Sequence, residues 1–133
     1  MKIADVGWIG PAQAEKLSAA GVINDEDLLT RGATRDGRRG LAEATGIREQ
    51  VILSWVNRVE LLRLEGIRPE HVNLLAAAGI DGIAELARRD ARHLAETLGE
   101  LNRTRATMRE APFVGEVARW IEAAQTSPRT VDD

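Results

Sequence analysis

The chain has 133 residues, a formal net charge of −3 and no cysteine. Without cysteine it offers no zinc finger, iron–sulfur cluster, thiol nucleophile or disulfide framework. No segment approaches the ~20 apolar residues of a membrane span, and no apolar run near the N-terminus has the length of a signal peptide, so we expect a cytoplasmic protein with no membrane contact.

Helical periodicity begins early in the first half of the chain. Pro11 suits the first position of a helix that runs to about Ala20, and Gly21 suits the left-handed cap that ends it. Asn24 is placed as the N-cap of the next short helix. The pattern then predicts a polar loop or frayed helix start over 30–40, a short helix over 41–45 closed by Gly46, and the longest helix over 48–64.

The second half follows a similar plan. Pro69 opens a helix that Gly79 ends, and we expect Trp120 and its counterpart Trp55 to be buried. No alternating strand pattern occurs, so the predicted fold is all-α. The remaining expectations are a short helix with Ile83 and Leu86, a continuation through Leu94, Leu98 and Leu101, a polar joint over 102–110, a last helix over 114–124 and a disordered tail over 126–133.

A short phrase occurs twice in the chain. Ile9-Gly10-Pro11 is followed by Gly21-Val22, and Ile67-Arg68-Pro69 is followed by Gly79-Ile80. The offset is 58 residues at both ends, since 69 − 11 = 79 − 21 = 58. A constant offset indicates an internal duplication, and the phrase is typical of a helix-hairpin-helix motif. We therefore predict duplicated helix-hairpin-helix units, one in 1–63 and one in 64–125, packed into one compact helical domain.

Several stretches carry a resemblance to a known family. They are Trp8-Ile9-Gly10-Pro11, 27–34, Leu41-Ala42-Glu43 with Thr45-Gly46-Ile47, and Gly66-Ile67-Arg68-Pro69. From about Val6 to Ala124 the chain resembles a bacterial family of tandem helix-hairpin-helix proteins that is catalogued as a domain of unknown function. The wider group of helix-hairpin-helix proteins includes repair nucleases, glycosylases, ligases and topoisomerases that grip the DNA backbone with this motif. The resemblance therefore implies binding rather than catalysis.

Both copies depart from the family pattern of two glycines around one apolar residue. In the first copy Trp8 stands at the first glycine position and Gly10 is retained. In the second copy Gly66 is retained and Arg68 replaces the second glycine. Because Arg68 adds a cationic fork beside a phosphate, the second hairpin is the better predicted binding site. Trp8 either blocks the approach to the first hairpin or anchors a protein partner.

The sequence predicts a non-catalytic protein that binds duplex DNA through backbone phosphates without reading sequence. Free N–H groups and partial positive charge at a helix N-terminus attract anions, and phosphate contacts position a protein without specifying bases. A loop in solvent is the alternative for Arg35, Arg38 and Arg39, as it is for Arg103, Arg105 and Arg109. The candidate DNA-binding residues are Gly10, Lys16, Arg35, Arg38, Arg39, Gly66, Ile67 and Arg68.

A second function stays open, because the net negative charge opposes nucleic-acid binding. In that alternative the hairpins are purely structural and the protein is an interaction adaptor that binds another protein through an exposed Trp8. The two functions differ in their test: binding to DNA should weaken in Arg68→Glu, whereas capture of a partner should depend on Trp8.

Signs of an enzyme are weak in the sequence. It has no phosphate-binding Walker loop, nucleophile elbow or HExxH pattern, and we expect no cofactor. His71 and His93 lie in separate segments without the spacing of metal ligands, so no metal site is predicted. Because His71 falls near the start of a helix opened by proline, we expect it to be exposed. Whether a hairpin turn holds a monovalent cation stays open.

Overall fold

The computed structural model describes residues 1–132, and Asp133 lies outside the described residues. Over that range the protein is all-α, as predicted, and contains no β-strand. A 3₁₀ helix, Ile3–Asp5, precedes the α-helices. These are α1 (Pro11–Ala19), α2 (Asp25–Gly32), α3 (Arg35–Thr45), α4 (Glu49–Leu61), α5 (Pro69–Ala77), α6 (Ile83–Ala87), α7 (Ala91–Arg105) and α8 (Val114–Thr126).

The chain forms two compact units. The first comprises Met1–Glu60 together with the end of the chain from Arg129, and the second comprises Leu61–Pro128. The boundary falls three residues before the end of the predicted first half, since 63 − 60 = 3. No helix within residues 1–132 is both long and apolar enough to cross a membrane.

Side-chain caps explain where three of the helices begin. The Asn24 side chain accepts the backbone N–H of Asp27 at 2.8 Å, as the sequence predicts. Thr34 caps α3 by accepting from Gly37 N at 3.0 Å, and Asp90 caps α7. Each cap supplies an acceptor to an N–H that the first helical turn leaves without one.

The turns that end α1 and α5 have the same geometry. Gly21 and Gly79 have φ of +91° and +86°. The next residue in each turn returns its N–H to the helix, from Val22 to Leu17 O at 2.8 Å and from Ile80 to Leu75 O at 2.9 Å. This is the left-handed glycine cap with an apolar residue after it, as predicted for both helices.

An arginine holds the end of each of these two helices. Arg31 Nη1 donates to Ala20 O at 3.1 Å, and Arg89 Nη1 donates to Ala78 O at 3.4 Å. Both pairs obey the offset seen in the sequence, because 89 − 31 = 78 − 20 = 58. Each arginine thereby supplies a donor to a carbonyl at a helix C-terminus, where carbonyls lack intrahelical partners.

Two predictions about the helices differ from the structure. The segment 30–40, predicted to be a loop or a frayed helix start, is helical apart from its middle, because α2 continues to Gly32 and the Thr34 cap starts α3 at Arg35. The longest helix is α7, with 15 residues, rather than α4, with 13. The Asp90 cap and the leucines at 94 and 98 sustain α7 through what the sequence presents as a polar stretch.

The first unit buries one apolar cluster. Leu17 of α1, Leu28 of α2, Leu41 of α3 and Trp55 of α4 all belong to it. Helices α2 and α4 approach closely at Gly32, where a Cβ atom would stand 2.5 Å from Val56 Cγ2. The glycine therefore sets the helix spacing in this core.

Val131, near the end of the chain, belongs to the same cluster. The carboxylate of Glu60 accepts the N–H of Thr130 at 2.6 Å and that of Val131 at 3.2 Å, and Asp132 N donates to Ala33 O at 2.8 Å. The structure therefore differs from the prediction of a disordered tail over 126–133. Its first residue ends α8, and residues 130–132 are held by these bonds.

The second unit has its own buried residues. Helix α8 packs on α6 and α7, and α5 packs on α7. Trp120 of α8 is buried, as predicted. The other fully buried large side chains of this unit are Leu61, Leu74, Leu75, Ile80, Leu86, Leu94 and Leu98.

Candidate nucleic-acid interface

The segment predicted to be the first hairpin, Trp8–Pro11, presents an open helix N-terminus. Gly10 is the N-cap of α1, in extended conformation with φ −67° and ψ 159°, and no side chain caps the helix. The first turn has no acidic residue, and Pro11 occupies its first position. A Cβ atom on Gly10 would meet nothing within 4 Å. An anion can therefore reach the N–H groups of Ala12 and Gln13, which the first helical turn leaves without acceptors.

Two buried polar atoms beside this helix start have no hydrogen-bond partner among the described residues. They are the indole Nε1 of Trp8 and the Oε1 of Gln13. Trp8 is half-buried and packs against the core of the first unit. Trp8 is thus only partly exposed, and its indole N–H is buried, so a partner that contacts Trp8 would meet the rest of the ring.

The segment predicted to be the second hairpin, Gly66–Pro69, has polar groups that bond within the protein. Arg68 N, the N–H at the N-cap of α5, donates to His71 Nδ1 at 3.0 Å. The guanidinium Nε of Arg68 lies 3.0 Å from Glu70 Oε1. Ile67 is buried, and its N–H donates to Leu64 O at 3.2 Å. Gly66 is exposed, with φ +87°. The cation and the N–H expected to meet a phosphate thus already have partners.

His71 is only 4% exposed, so the expectation that it would be exposed is wrong. His71 is the third residue of α5, where a side-chain acceptor can bond the backbone N–H of the N-cap residue. Burial lowers the pKa of His71, and Arg68 lowers it further, while Glu70 and Glu116 oppose the shift. A neutral ring at physiological pH is what the bond requires, because Nδ1 must carry a lone pair to accept the N–H of Arg68.

The predicted basic side chains of the first unit divide into two groups. Lys16, Arg35 and Arg39 are exposed. Arg38 is 3% exposed, and its Nη1 donates to Gly32 O at 2.9 Å and to Ala33 O at 3.1 Å. Arg38 is therefore withdrawn from the candidate interface, because its guanidinium satisfies the carbonyls that end α2.

The basic residues near the end of α7 lie in the second unit. Arg103, Arg105 and Arg109 are exposed, and Arg103 pairs with Glu100 at 3.1 Å. Within residues 1–132 no group of three or more histidine or acidic side chains is placed to hold a metal ion.

Two contacts escaped the sequence analysis although signals for them exist. His71 lies three residues after Arg68, which is the spacing of a capping box. Arg38 lies five and six residues after the carbonyls that it satisfies, within reach of a long side chain folded over a helix junction. A position near a helix start does not by itself show that His71 accepts a hydrogen bond there, and residue type does not by itself show that Arg38 is buried.

These features define a small all-α protein with two helical units, each of which contains a helix opened by proline and ended by a left-handed glycine. The chain belongs to the family described as Domain of unknown function (DUF4332), which it matches over residues 7–127. The predicted membership of a domain family of unknown function is thereby confirmed. No curated protein and no solved structure matches the chain.

Proposed function

We propose that this protein is a small non-catalytic DNA-binding protein that grips backbone phosphates of duplex DNA at the N-terminus of α1. The observation that carries the proposal is the uncapped, acid-free first turn of α1 behind an open Gly10. A phosphate oxygen placed there accepts from the N–H groups of Ala12 and Gln13 and meets the positive end of the helix.

Glycine at the N-cap matters because it lets a phosphate approach the backbone closely. The exposed Lys16, in the last turn of the same helix, adds a mobile point charge. Arg35 and Arg39 are four residues apart on α3, so they share one face of that helix. These three cations belong to the same unit as Gly10.

The proposal places the grip at the first hairpin rather than at the second. At the second hairpin a phosphate would have to displace His71 from Arg68 N and Glu70 from the guanidinium. It would also approach the negative charge of Glu70. We therefore interpret the second hairpin as a helix-hairpin-helix turn that has kept its architecture and changed its chemistry.

The paired glycine turns support the interpretation of both hairpins as copies of one motif. The carbonyl contacts of Arg31 and Arg89 extend the 58-residue correspondence from the backbone to a side chain. A duplicated backbone with different polar groups fits a protein in which one copy binds DNA and the other only stabilises the fold.

Electrostatics limits the strength of this grip. The chain has 18 basic and 21 acidic residues, so the net charge of the protein does not attract DNA to the hairpin. Two or three phosphate contacts give an affinity that falls roughly ten- to fortyfold between about 50 and about 200 mM salt. Binding should also be alike for unrelated duplex sequences, since phosphate contacts carry no base information.

Fluorescence anisotropy with a labelled duplex, at these two salt concentrations, tests the proposal. Lys16→Gln should weaken binding by about threefold, the effect of one exposed phosphate contact. Lys2→Gln is the control, because Lys2 is an exposed lysine of the same unit outside the proposed grip. Absence of binding at low salt would refute the proposal.

A protein-interaction adaptor is the second candidate, and one observation favours it. Phe113 and Val114 are 60% and 50% exposed and adjacent at the start of α8. These two adjacent apolar side chains offer a partner an apolar contact in solvent. Arg119 lies over the Phe113 ring, with its Cζ 5.9 Å from the centroid. The anchor of this alternative therefore moves from Trp8 to Phe113.

Affinity capture from cell extract compares the parent protein with Phe113→Ser. A partner retained by the parent and lost by the variant supports the adaptor function. Trp8→Phe is the control, because it keeps an aromatic ring at this half-buried position and should leave the partner bound. Equal capture by parent and Phe113→Ser would remove this surface from the interaction.

A further inference from the structure

The end of the chain is bound by the first unit in the way that a peptide ligand is bound. Glu60 Oε2 accepts the N–H groups of Thr130 and Val131, and Ala33 O accepts the N–H of Asp132. The Val131 side chain is buried in the apolar cluster, whereas Thr130 and Asp132 are exposed. Backbone bonds and one aliphatic side chain therefore hold the segment. We call Ala33, Glu60 and the apolar contacts of Val131 the tail-binding site.

Two acceptor atoms at this site receive no hydrogen bond from the chain end. Glu60 is 2% exposed, and its Oε1 is buried without a hydrogen-bond partner among residues 1–132. The same holds for the Oδ1 atom of Asn57. Both residues belong to α4 and are three positions apart, so they are neighbours on one face of that helix. Because a buried carboxylate oxygen without a donor is costly, the two atoms point to a ligand with more donors than the chain end supplies.

The charges around the tail-binding site indicate the chemistry of that ligand. An ammonium group carries three donors and no acceptor, so one such group can serve Glu60 Oε1 and Asn57 Oδ1 together. Its positive charge also strengthens a hydrogen bond to a carboxylate. Arg38 Nη1 donates to Ala33 O at 3.1 Å, the atom that also accepts the N–H of Asp132. The guanidinium therefore favours an acidic residue at the position of Asp132.

We propose that the tail-binding site docks a peptide segment of a partner protein, and that the chain end is a tethered competitor for the site. The segment presents a lysine to Glu60 and Asn57, two backbone N–H groups to Glu60 Oε2, and an aliphatic side chain in the place of Val131. The lysine supplies the bonds that the chain end does not make. None of these residues belongs to the phosphate grip at α1, so this proposal and the DNA-binding function fail independently.

The chain end can leave the site without the unfolding of a helix. It is held by three backbone hydrogen bonds and one buried side chain, and segments with so few buried contacts open locally. Its covalent attachment gives it a high effective concentration. A partner therefore displaces it only when the added lysine contributes affinity.

Fluorescence anisotropy with the peptide fluorescein-Gly-Lys-Thr-Val-Asp-amide tests the proposal on the full chain. Val131→Ser weakens the competing chain end and should raise the affinity for the peptide about tenfold, the effect of one buried aliphatic side chain. Val114→Ser is the matched control, because Val114 is an exposed valine of the second unit, and it should keep the parent affinity. The same peptide with glutamine in place of lysine should bind about tenfold more weakly, because it lacks the charge-assisted bonds.

Two further variants show whether the lysine meets the expected atoms. Asn57→Ala and Glu60→Gln should each reduce the difference in affinity between the lysine and glutamine peptides. Asn57 is only half-buried, so its variant provides the comparison if Glu60→Gln does not fold. Nuclear magnetic resonance of the ¹⁵N-labelled parent chain should show the lysine peptide moving the backbone amide signals of Thr130 and Asp132, because the peptide displaces both.

Three results would each overturn the proposal. The first is equal affinity of the lysine and glutamine peptides, and the second is equal affinity of the parent and Val131→Ser for the lysine peptide. The third is binding that leaves the amide signals of Thr130 and Asp132 unmoved, since the peptide would then bind outside the tail-binding site.

Discussion

His71 and Trp120 meet edge to face, with ring centroids 4.9 Å apart and ring planes inclined at 60°. One side of His71 therefore rests on a buried tryptophan of α8, while its Nδ1 accepts the N–H of Arg68, the N-cap residue of α5. The start of α5 is thereby tied to the core of the second unit. Aromatic pairs of this geometry contribute about 0.5–1.5 kcal/mol beyond the area that they bury.

This arrangement makes the stability of the second unit depend on pH. The pKa of His71 in the folded protein is lowered by burial from about 6.5. The unfolded state therefore binds more protons than the folded state as the pH falls below about 6.5, and stability decreases in that range. Above about pH 6.5 His71 is neutral in both states, and its hydrogen bond contributes fully to the free energy of unfolding. Arg68, Glu70 and Glu116 are the charged groups that act on the ring. Urea unfolding at about pH 7.5 and about pH 5.5 measures this loss of unfolding free energy.

Two variants isolate the contribution of His71 from that of the carboxylates. His71→Gln keeps an acceptor at the third helical position and should reduce the difference in unfolding free energy between the two pH values. His93→Gln should keep the parent difference, because His93 is exposed and donates only its backbone N–H to Asp90. A difference equal to the parent's in His71→Gln would contradict the assignment.

Arg38 should be a structural residue rather than a DNA contact. Arg38→Ala removes the donor to two backbone carbonyls in a buried position and should cost about 2–3 kcal/mol of unfolding free energy. Arg39→Ala, one residue away and exposed, should change stability by no more than about 0.5 kcal/mol. Chemical denaturation of both variants measures this contrast, and equal stabilities would show that the buried guanidinium contributes nothing.

Val131 should anchor the end of the chain. Val131→Ala removes two buried methyl groups and should destabilise the first unit by about 1–2 kcal/mol. Thr130→Ala is the control, because Thr130 is exposed and contributes its backbone N–H to Glu60. Urea unfolding, combined with limited proteolysis of the tail, checks both variants. A tail cleaved equally fast in parent and Val131→Ala would mean that Val131 does not hold it.

Arg31 should stabilise the end of α1 through its bond to Ala20 O. Arg31→Gln loses a charge-assisted bond in an exposed setting, and we expect a cost of about 1 kcal/mol. Arg89→Gln should cost less, since its bond to Ala78 O is longer, at 3.4 Å against 3.1 Å. Thermal unfolding of the two variants provides the comparison. A stability equal to the parent's in Arg31→Gln would argue against a shared role for the pair.

Local signals in the sequence were sufficient for much of the fold. The proline starts, the glycine ends and the Asn24 cap each depend on a few neighbouring residues, and all three are confirmed. The errors lie where a distant contact decides the outcome. Val131 is small and sits in a polar tail, and only its contact with the first unit orders it.

The candidate site was less predictable for the same reason. Sequence indicated that Arg68 is basic and next to a proline, but not that Glu70 and His71 would engage its side chain and its N–H. Nor could charge alone separate the buried Arg38 from its exposed neighbours. Residue type indicates what a side chain can bind, whereas its availability depends on partners that only the folded chain brings together.

Gly10→Asp tests the central claim most directly. Asp at an N-cap is compatible with the backbone of Gly10, since a Cβ there meets nothing within 4 Å, and it should leave stability unchanged or raise it by a few tenths of a kcal/mol. Its carboxylate would occupy the N–H groups and repel a phosphate. Anisotropy with a labelled duplex at about 50 mM salt should therefore show binding lost in Gly10→Asp and retained in Arg68→Gln. Retained binding in Gly10→Asp, or loss only in Arg68→Gln, would contradict a phosphate grip at the start of α1.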